Sequence, residues 1–268
     1  MNLCFRLGAQ QHRQMEPQMN MHLADHVEIF PQCRLWLAYF DGDSDESIAA
    51  TIHDIAEAKF STQDLHRWQQ FRPATKKRQF LNSRLVVRAV LQKEFGNNAD
   101  NITFDSETSG CPLLLSRRKN QVAQISLSHS ANAVAIAISD GEYPVGVDIE
   151  VPELLRTRAI QLVAFHPHEQ AWCNFSTGLE SEALTTLWTM KESVWKSLRE
   201  PGDIAFWDIS INFDSEVPEA VISGGTERTA QFRTQVFVQQ SVPVAPGTLH
   251  LSTGNVPLRG CVAQRIAP

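Results

Sequence analysis

The sequence is short of several things, and each shortage argues against a class of protein. None of its 268 residues falls in an apolar run of 18 or more, which speaks against a membrane-spanning helix. Cysteine is sparse: Cys4, Cys33, Cys111, Cys173 and Cys261 are five in all, an odd number, far apart and without a CxxC pair. That spacing fits reduced thiols in a cytoplasm and disfavours a disulfide framework or a structural zinc site. The opening stretch MNLCFRLGAQQHRQMEPQMNMH lacks the continuous apolar region of a secretory signal and, rich in Gln and Met, reads as a poorly ordered extension. Basic residues are in deficit, 24 against 30 acidic ones for a net charge of −6, which argues against general nucleic-acid binding.

What remains is an ordinary globular composition, 43% hydrophobic and 20% charged, in a chain long enough for one large domain or two small ones. CRLWLAYF reads as a buried strand, and residues 45 to 95 read as largely helical with a break at Pro73. QFLNSRLVVRAVLQKEF places Phe80, Leu81, Leu85, Val86, Val90 and Leu91 at helical spacing, with Arg84 and Arg88 on the other face. Residues 98 to 120 look turn-rich. AVAIAISDGEYPVGVDIE reads as a strand, a Gly/Pro turn and a second short strand, in the manner of a hairpin. Proline in the HPHE stretch suits a helix start near Pro167, and ALTTLWTMKESVWKSL is the most regular helix. The last seventy residues alternate as antiparallel strands do, in DISINF, AVISG, TQVFVQQ and LHLST. A weak echo sets SRLVVRAVL (residues 83 to 91) on KESVWKSLR (residues 191 to 199), which makes two similar lobes plausible.

Charge is unevenly placed. Between Leu65 and Lys93 there are eight Lys or Arg and no Asp or Glu. Such a run is either a solvated helix face or an anion site. In GVDIE, Asp148 and Glu150 are two apart on a strand and share a face, with Val147 and Ile149 on the other. Two like charges on a partly buried face need a proton, a basic partner or a cation. Glu192 and Lys196 lie one helical turn apart, as an ordinary ion pair or as a third oxygen ligand beside a phosphate-facing ammonium. Carboxylates with substrate phosphates are the ligands Mg²⁺ takes. SLSHS, at a strand end, brings His129 and two hydroxyls to where an anion could sit, and it is not a nucleophile elbow because the GxSxG glycines are missing. His166 and His168 read as structural or exposed.

Taken together, SLSHS, GVDIE and WTMKESVWK resemble the motifs of the 4′-phosphopantetheinyl transferases, of the larger, two-lobed Sfp type. The resemblance runs from about Cys33 to Lys196 and includes KKRQFLNSRLVVR. It implies an α+β fold of two similar α/β lobes related by pseudo-two-fold symmetry, with mainly antiparallel sheets and the active site between the lobes. The expected division is an extension over 1–30, a first lobe over 31–140 that binds coenzyme A phosphates, and a second lobe over 141–268 with the metal and catalytic residues.

The implied activity is Mg²⁺-dependent transfer of the 4′-phosphopantetheine arm of coenzyme A to a serine of an apo acyl or peptidyl carrier protein, releasing adenosine 3′,5′-bisphosphate. By resemblance, Asp148, Glu150 and Glu192 hold Mg²⁺, Glu192 is the base for the carrier serine, directly or through a water, and Lys196 stabilises the pyrophosphate and the departing phosphate. Arg78, Arg84 and His129 bind phosphates with help from Ser128, and Arg88 is a weaker candidate. Two departures stand out: Gly110-Cys111-Pro112 where many members carry Gly-Lys-Pro, and no glycine-rich segment after Lys196. The expected protein is a cytoplasmic monomer with no nucleic-acid or membrane partner. The competing readings are a Mg²⁺-dependent phosphohydrolase of a nucleotide-like substrate and a non-catalytic carrier-binding homologue.

Overall fold

The computed structural model describes residues 2–3, 21–40, 61–106, 110–140, 144–152, 163–175, 180–199, 202–214, 218–222, 231–243 and 255–265. Within them the fold is α+β, with two antiparallel sheets and four α-helices. The first sheet holds β1 (Asn2–Leu3), β2 (Met21–Leu23), β3 (Val27–Phe30), β4 (Cys33–Phe40), β5 (Ile102–Ser106), β6 (Pro112–Ser116), β7 (Gln121–Ser130) and β8 (Ala133–Ser139). The second runs β10-β11-β12-β13-β9, built from β9 (Val145–Glu150), β10 (Ile209–Asn212), β11 (Glu219–Ile222), β12 (Gln231–Pro243) and β13 (Asn255–Arg265). The helices are α1 (Thr62–Gln70), α2 (Ala74–Phe95), α3 (Pro167–Phe175) and α4 (Glu180–Ser197).

Local chemistry sets the helix ends. The Ser61 hydroxyl accepts from the Asp64 N–H at 3.1 Å and starts α1, a side-chain cap for one of the helix's orphan donors. Pro73 opens α2, and Gly96, at φ +53°, closes it in a conformation that side chains other than glycine rarely take. The two segments of the sequence echo fall on α2 and α4. α2 buries Phe80, Leu81, Leu85 and Val86 against Trp36, Ile136 and Ile138 of the first sheet. α4 buries Leu184, Leu187, Met190 and Val194 against Ile209, Ile211, Phe232 and Cys261 of the second.

A third apolar cluster joins the sheets. Leu35 of β4 and Ala133, Ala135 and Ala137 of β8 pack on Val145, Val147 and Ile149 of β9 and Val262 of β13. β8 is buried along its whole length: its larger Val134, Ile136 and Ile138 join the α2 cluster, while its alanines face β9. Small side chains on that face let a second sheet approach closely.

Several sequence expectations are corrected here. β8 and β9 do not form a hairpin, because β9 leaves the first sheet to pair with β13, Asp148 opposite Cys261 and Glu150 opposite Arg259. The turn-rich stretch contains β5 and β6, paired with Phe104 opposite Leu114. The first sheet also takes in residues 21–30, since β2 and β3 both pair with β4. Residues 4–20 of the expected extension, 45–60 of the helical stretch, and LHLST lie outside the described residues.

α3 is locked to α4 by a buried ion pair. Lys191 and Glu169 are both fully buried with Nζ 2.6 Å from Oε2. Lys191 also donates to the carbonyls of Ala164 (2.6 Å) and Phe206 (3.2 Å), and Glu169 accepts from the N–H groups of His166 (2.7 Å) and Ile211 (2.8 Å). Burial lowers the Lys191 pKa and the Glu169 carboxylate opposes that shift. A buried pair dressed this fully specifies geometry more than it adds stability; here it fixes the rotation of α4 one residue from Glu192. His166 and His168 bond backbone carbonyls of Trp207 and Ile211 through Nε2, which fits a structural role.

Candidate active site

β9 carries the two carboxylates as the strand period requires. Val147 and Ile149 are fully buried between the sheets, and Asp148 points the other way but is itself only 1% exposed. Gly146 makes the rest of the arrangement possible. A Cβ built there would lie 1.8 Å from the Ser193 carbonyl oxygen and 2.8 Å from the Ser197 nitrogen, so α4 lies directly on the β9 backbone. That approach brings Lys196 Nζ to 2.7 Å from Asp148 Oδ1 and 3.2 Å from Ser128 Oγ, with Glu192 Oε1 at 3.6 Å. The Ser128 hydroxyl donates to Asp148 Oδ1 at 2.8 Å, and the Ser130 hydroxyl donates to Glu150 Oε2 at 2.9 Å.

These groups open onto a cavity of about 550 Å³. Its lining includes Asp148 and Glu150 of β9 and Glu192 and Lys196 of α4, together with Lys76 and Gln79 of α2 and His129 of β7. The cavity therefore gathers three carboxylates with cationic and neutral polar groups from both sheets' helices. Among the described residues, buried Asp148 Oδ2, His129 Nδ1 and Gln79 Oε1 have no hydrogen-bond partner. Buried polar atoms left unpaired are costly and mark places where a ligand or solvent completes the bonding.

Of the residues expected at phosphates, Ser128, His129 and Lys196 line the cavity, whereas Arg78 and Arg84 do not. Arg84 is tied to Asp64 (Nε to Oδ1 2.7 Å), and its guanidinium lies over the rings of Phe80 and Phe104. Its pKa is lowered by burial, with Asp64 opposing. The reason is helical phase: each residue advances about 100°, so Lys76 and Gln79 share a face and Arg78 lies well around the helix from both. Lys76 was visible in the sequence as part of the basic run, and its i, i+3 relation to Gln79 was the signal that separates the cavity face from the rest. Cys111 follows Gly110, at φ +86°, and is not a lining residue.

The electrostatics are those of an under-compensated carboxylate cluster. Burial, reinforced by the Asp148 charge, pushes the Glu150 carboxyl up to about 7, with the Ser130 hydrogen bond opposing. Glu192 is also raised, by burial and then by Asp148, against Lys196 and a hydrogen bond from Trp188. Burial alone would lower Lys196, but Asp148 and Glu192 outweigh it and hold its pKa above the usual lysine value. His129 is lowered by burial, assisted by Lys76 and Lys196.

A pH dependence of stability follows. Between the ordinary carboxylate value of 4.5 and about 7, folded Glu150 holds more proton than the unfolded chain does. Its contribution to stability therefore falls as pH rises through that window and is level above it. In chelator, the wild-type melting temperature is expected to drop more between pH 5 and 7.5 than that of Glu150→Gln. Parallel pH profiles for the two proteins would refute the assignment.

Among the described residues, no three His, Cys, Asp or Glu side chains are gathered closely enough to hold a metal ion as they stand. The donor chemistry nonetheless suits a hard divalent cation. Three carboxylates line one cavity and Asp148 keeps an unpartnered buried oxygen, an oxygen donor set of the kind such a cation takes.

Residues 144–246 match the family model of the 4′-phosphopantetheinyl transferase superfamily, a segment that contains Asp148, Glu150, Glu192 and Lys196. The match supports a transferase and, in general terms, phosphopantetheinyl transfer, with coenzyme A and a carrier protein as the implied partners. No curated protein matches the chain. Among the described residues no helix is long and apolar enough to cross a membrane.

Proposed function

We propose that this protein transfers 4′-phosphopantetheine from coenzyme A to a serine hydroxyl of an apo acyl or peptidyl carrier protein, as a Mg²⁺-dependent transferase of the two-lobed Sfp type. The observation that carries the reading is a single cavity lined by three carboxylates and Lys196 together with Lys76, Gln79 and His129. A pyrophosphate ester in that cavity would meet cationic groups from both α2 and α4 beside the carboxylates.

Asp148, Glu150 and Glu192 would hold Mg²⁺, which when bound neutralises pyrophosphate charge and orients it. Lys196, one helical turn from Glu192, would bind the oxygen that departs. Lys76 and His129 would anchor the adenosine-side phosphates. Glu192, its pKa raised by burial, would accept the proton of the carrier serine. The serine oxygen bonds to the phosphorus bearing pantetheine, the bond from that phosphorus to the bridging oxygen breaks, and adenosine 3′,5′-bisphosphate leaves with that oxygen. Positioning and charge neutralisation are what such a displacement most needs from a protein. On this reading the 31–140 lobe supplies phosphate contacts and the 141–268 lobe supplies the metal and base. The two are related by a pseudo-two-fold axis, in a cytoplasmic monomer.

The test is to incubate the protein with coenzyme A, Mg²⁺ and a broad panel of apo-carrier proteins and to weigh the carriers. A phosphopantetheine mass gain that disappears in chelator is expected. Release of inorganic phosphate with unmodified carriers would replace this reading with phosphohydrolysis, and carrier binding without either product would replace it with a binding role.

A further inference from the structure

The face of β7 turned toward β9 is a row of serines: Ser126, Ser128 and Ser130, two apart, all buried. On β8 they stand opposite Ala137, Ala135 and Ala133, so two neighbouring strands present only small side chains where β9 packs. β9 pairs with β13 along one edge and, among the described residues, has no strand on the other. The N–H groups of alternate residues on a strand point to the same edge, and on this open edge the serines meet them. Ser126 Oγ accepts from the Val147 N–H at 3.0 Å, and Ser128 Oγ accepts from the Ile149 N–H at 3.3 Å.

The same row reaches the carboxylates. Ser128 Oγ donates to Asp148 and accepts from both Lys196 and Ile149. A hydroxyl has one donor and two acceptor sites, so all three sites of the Ser128 hydroxyl are engaged within the protein in this arrangement. Ser130 Oγ donates to Glu150 Oε2, and Glu150 lines the cavity.

We infer that the serine row of β7 is a positioning device: Ser126 and Ser128 stand in for a missing strand along the open edge of β9, and Ser130 is the positioning residue that aims Glu150 into the cavity. This rests on the metal-binding reading of the carboxylates. It also assigns SLSHS a division of labour, with the serines facing β9 and His129, on the opposite side of the strand, lining the cavity together with Lys76.

The test uses the full chain with Mn²⁺ as the probe, titrated calorimetrically into wild type, Ser130→Ala, Ser130→Thr and Ser126→Ala. Ser130→Ala is expected to bind Mn²⁺ about 10-fold more weakly, as loss of a hydrogen bond to a metal-ligating side chain commonly does, and Ser130→Thr is expected to restore binding. Ser126→Ala is expected to melt about 3 °C lower, because it strands a buried N–H, with Mn²⁺ affinity unchanged. Undiminished Mn²⁺ binding by Ser130→Ala would overturn the inference. If wild type itself binds no Mn²⁺, the metal reading fails, and a crystal structure of Ser130→Ala decides the positioning role separately: a displaced Glu150 side chain supports it and an unmoved one overturns it.

Discussion

Replacing Asp148 by Asn is expected to reduce carrier modification about a thousandfold while the chain still folds. Asp148 is 1% exposed, and its Oδ1 accepts from both Lys196 and Ser128. An amide of the same shape can still accept from Ser128, but it cannot neutralise the ammonium or serve as a charged metal ligand. Loss of one preorganised electrostatic contact in an enclosed site commonly costs about 10²–10³ in rate, and Asp148 contacts Lys196 and, on the proposed reading, would also hold the cation. Stability is expected to fall by about 2 kcal/mol, because Lys196 is left partly buried without its closest anion. The double variant Asp148→Asn with Lys196→Met separates the two effects: it is expected to recover most of the lost stability and none of the activity. Mass-spectrometric rates and denaturation midpoints of the three proteins make the measurement. An Asp148→Asn protein that modifies carriers at the wild-type rate under limiting Mg²⁺ would refute the role given to Asp148.

Adding a single methyl group at Gly146 is expected to do comparable damage by a different route. The Cβ of Gly146→Ala would fall 1.8 Å from the Ser193 carbonyl oxygen, and neither partner in that clash is a flexible side-chain end. The helix must move off the strand. Overpacking usually costs about 1–3 kcal/mol, and a backbone-to-backbone clash belongs at the upper end of that range. Because Ser193 and Ser197 flank Lys196, the displacement would also part Lys196 from Asp148 and open the cavity wall. We expect Gly146→Ala to lose about 3 kcal/mol in denaturant unfolding and most of its transfer activity. Wild-type stability in this variant would show that the contact between α4 and β9 is looser than the geometry states.

The elements most legible in the sequence are those whose reasons are local. CRLWLAYF, the long helix over Ala74–Phe95 and the helix bearing Glu192 were readable because their apolar periods match the structure they form. Asp148 and Glu150 share a face because the strand period is two. β5 and β6 were obscured by the Gly-Cys-Pro turn between them and by few strongly alternating residues.

The misjudged pairing of β8 with β9 has a nonlocal cause. A short Gly/Pro-containing connection looks like a hairpin whether the strand beyond it turns back into its own sheet or crosses to another. The partner that claims β9 is β13, more than a hundred residues away.

What the sequence determined by itself is the set of chemical groups and their local spacing: two carboxylates on a strand, a glutamate and a lysine one turn apart on a helix, and a basic helix. Tertiary structure decided which of them meet. Gly146 lets α4 lie on β9, the alanine and serine faces of β8 and β7 admit β9 between the sheets, and the phase of α2 turns Lys76 and Gln79 into the cavity while Arg84 pairs with Asp64. Those outcomes depend on how closely two backbones approach and on which helix face is buried. Both are set by packing among residues far apart in the chain, where no local period records them.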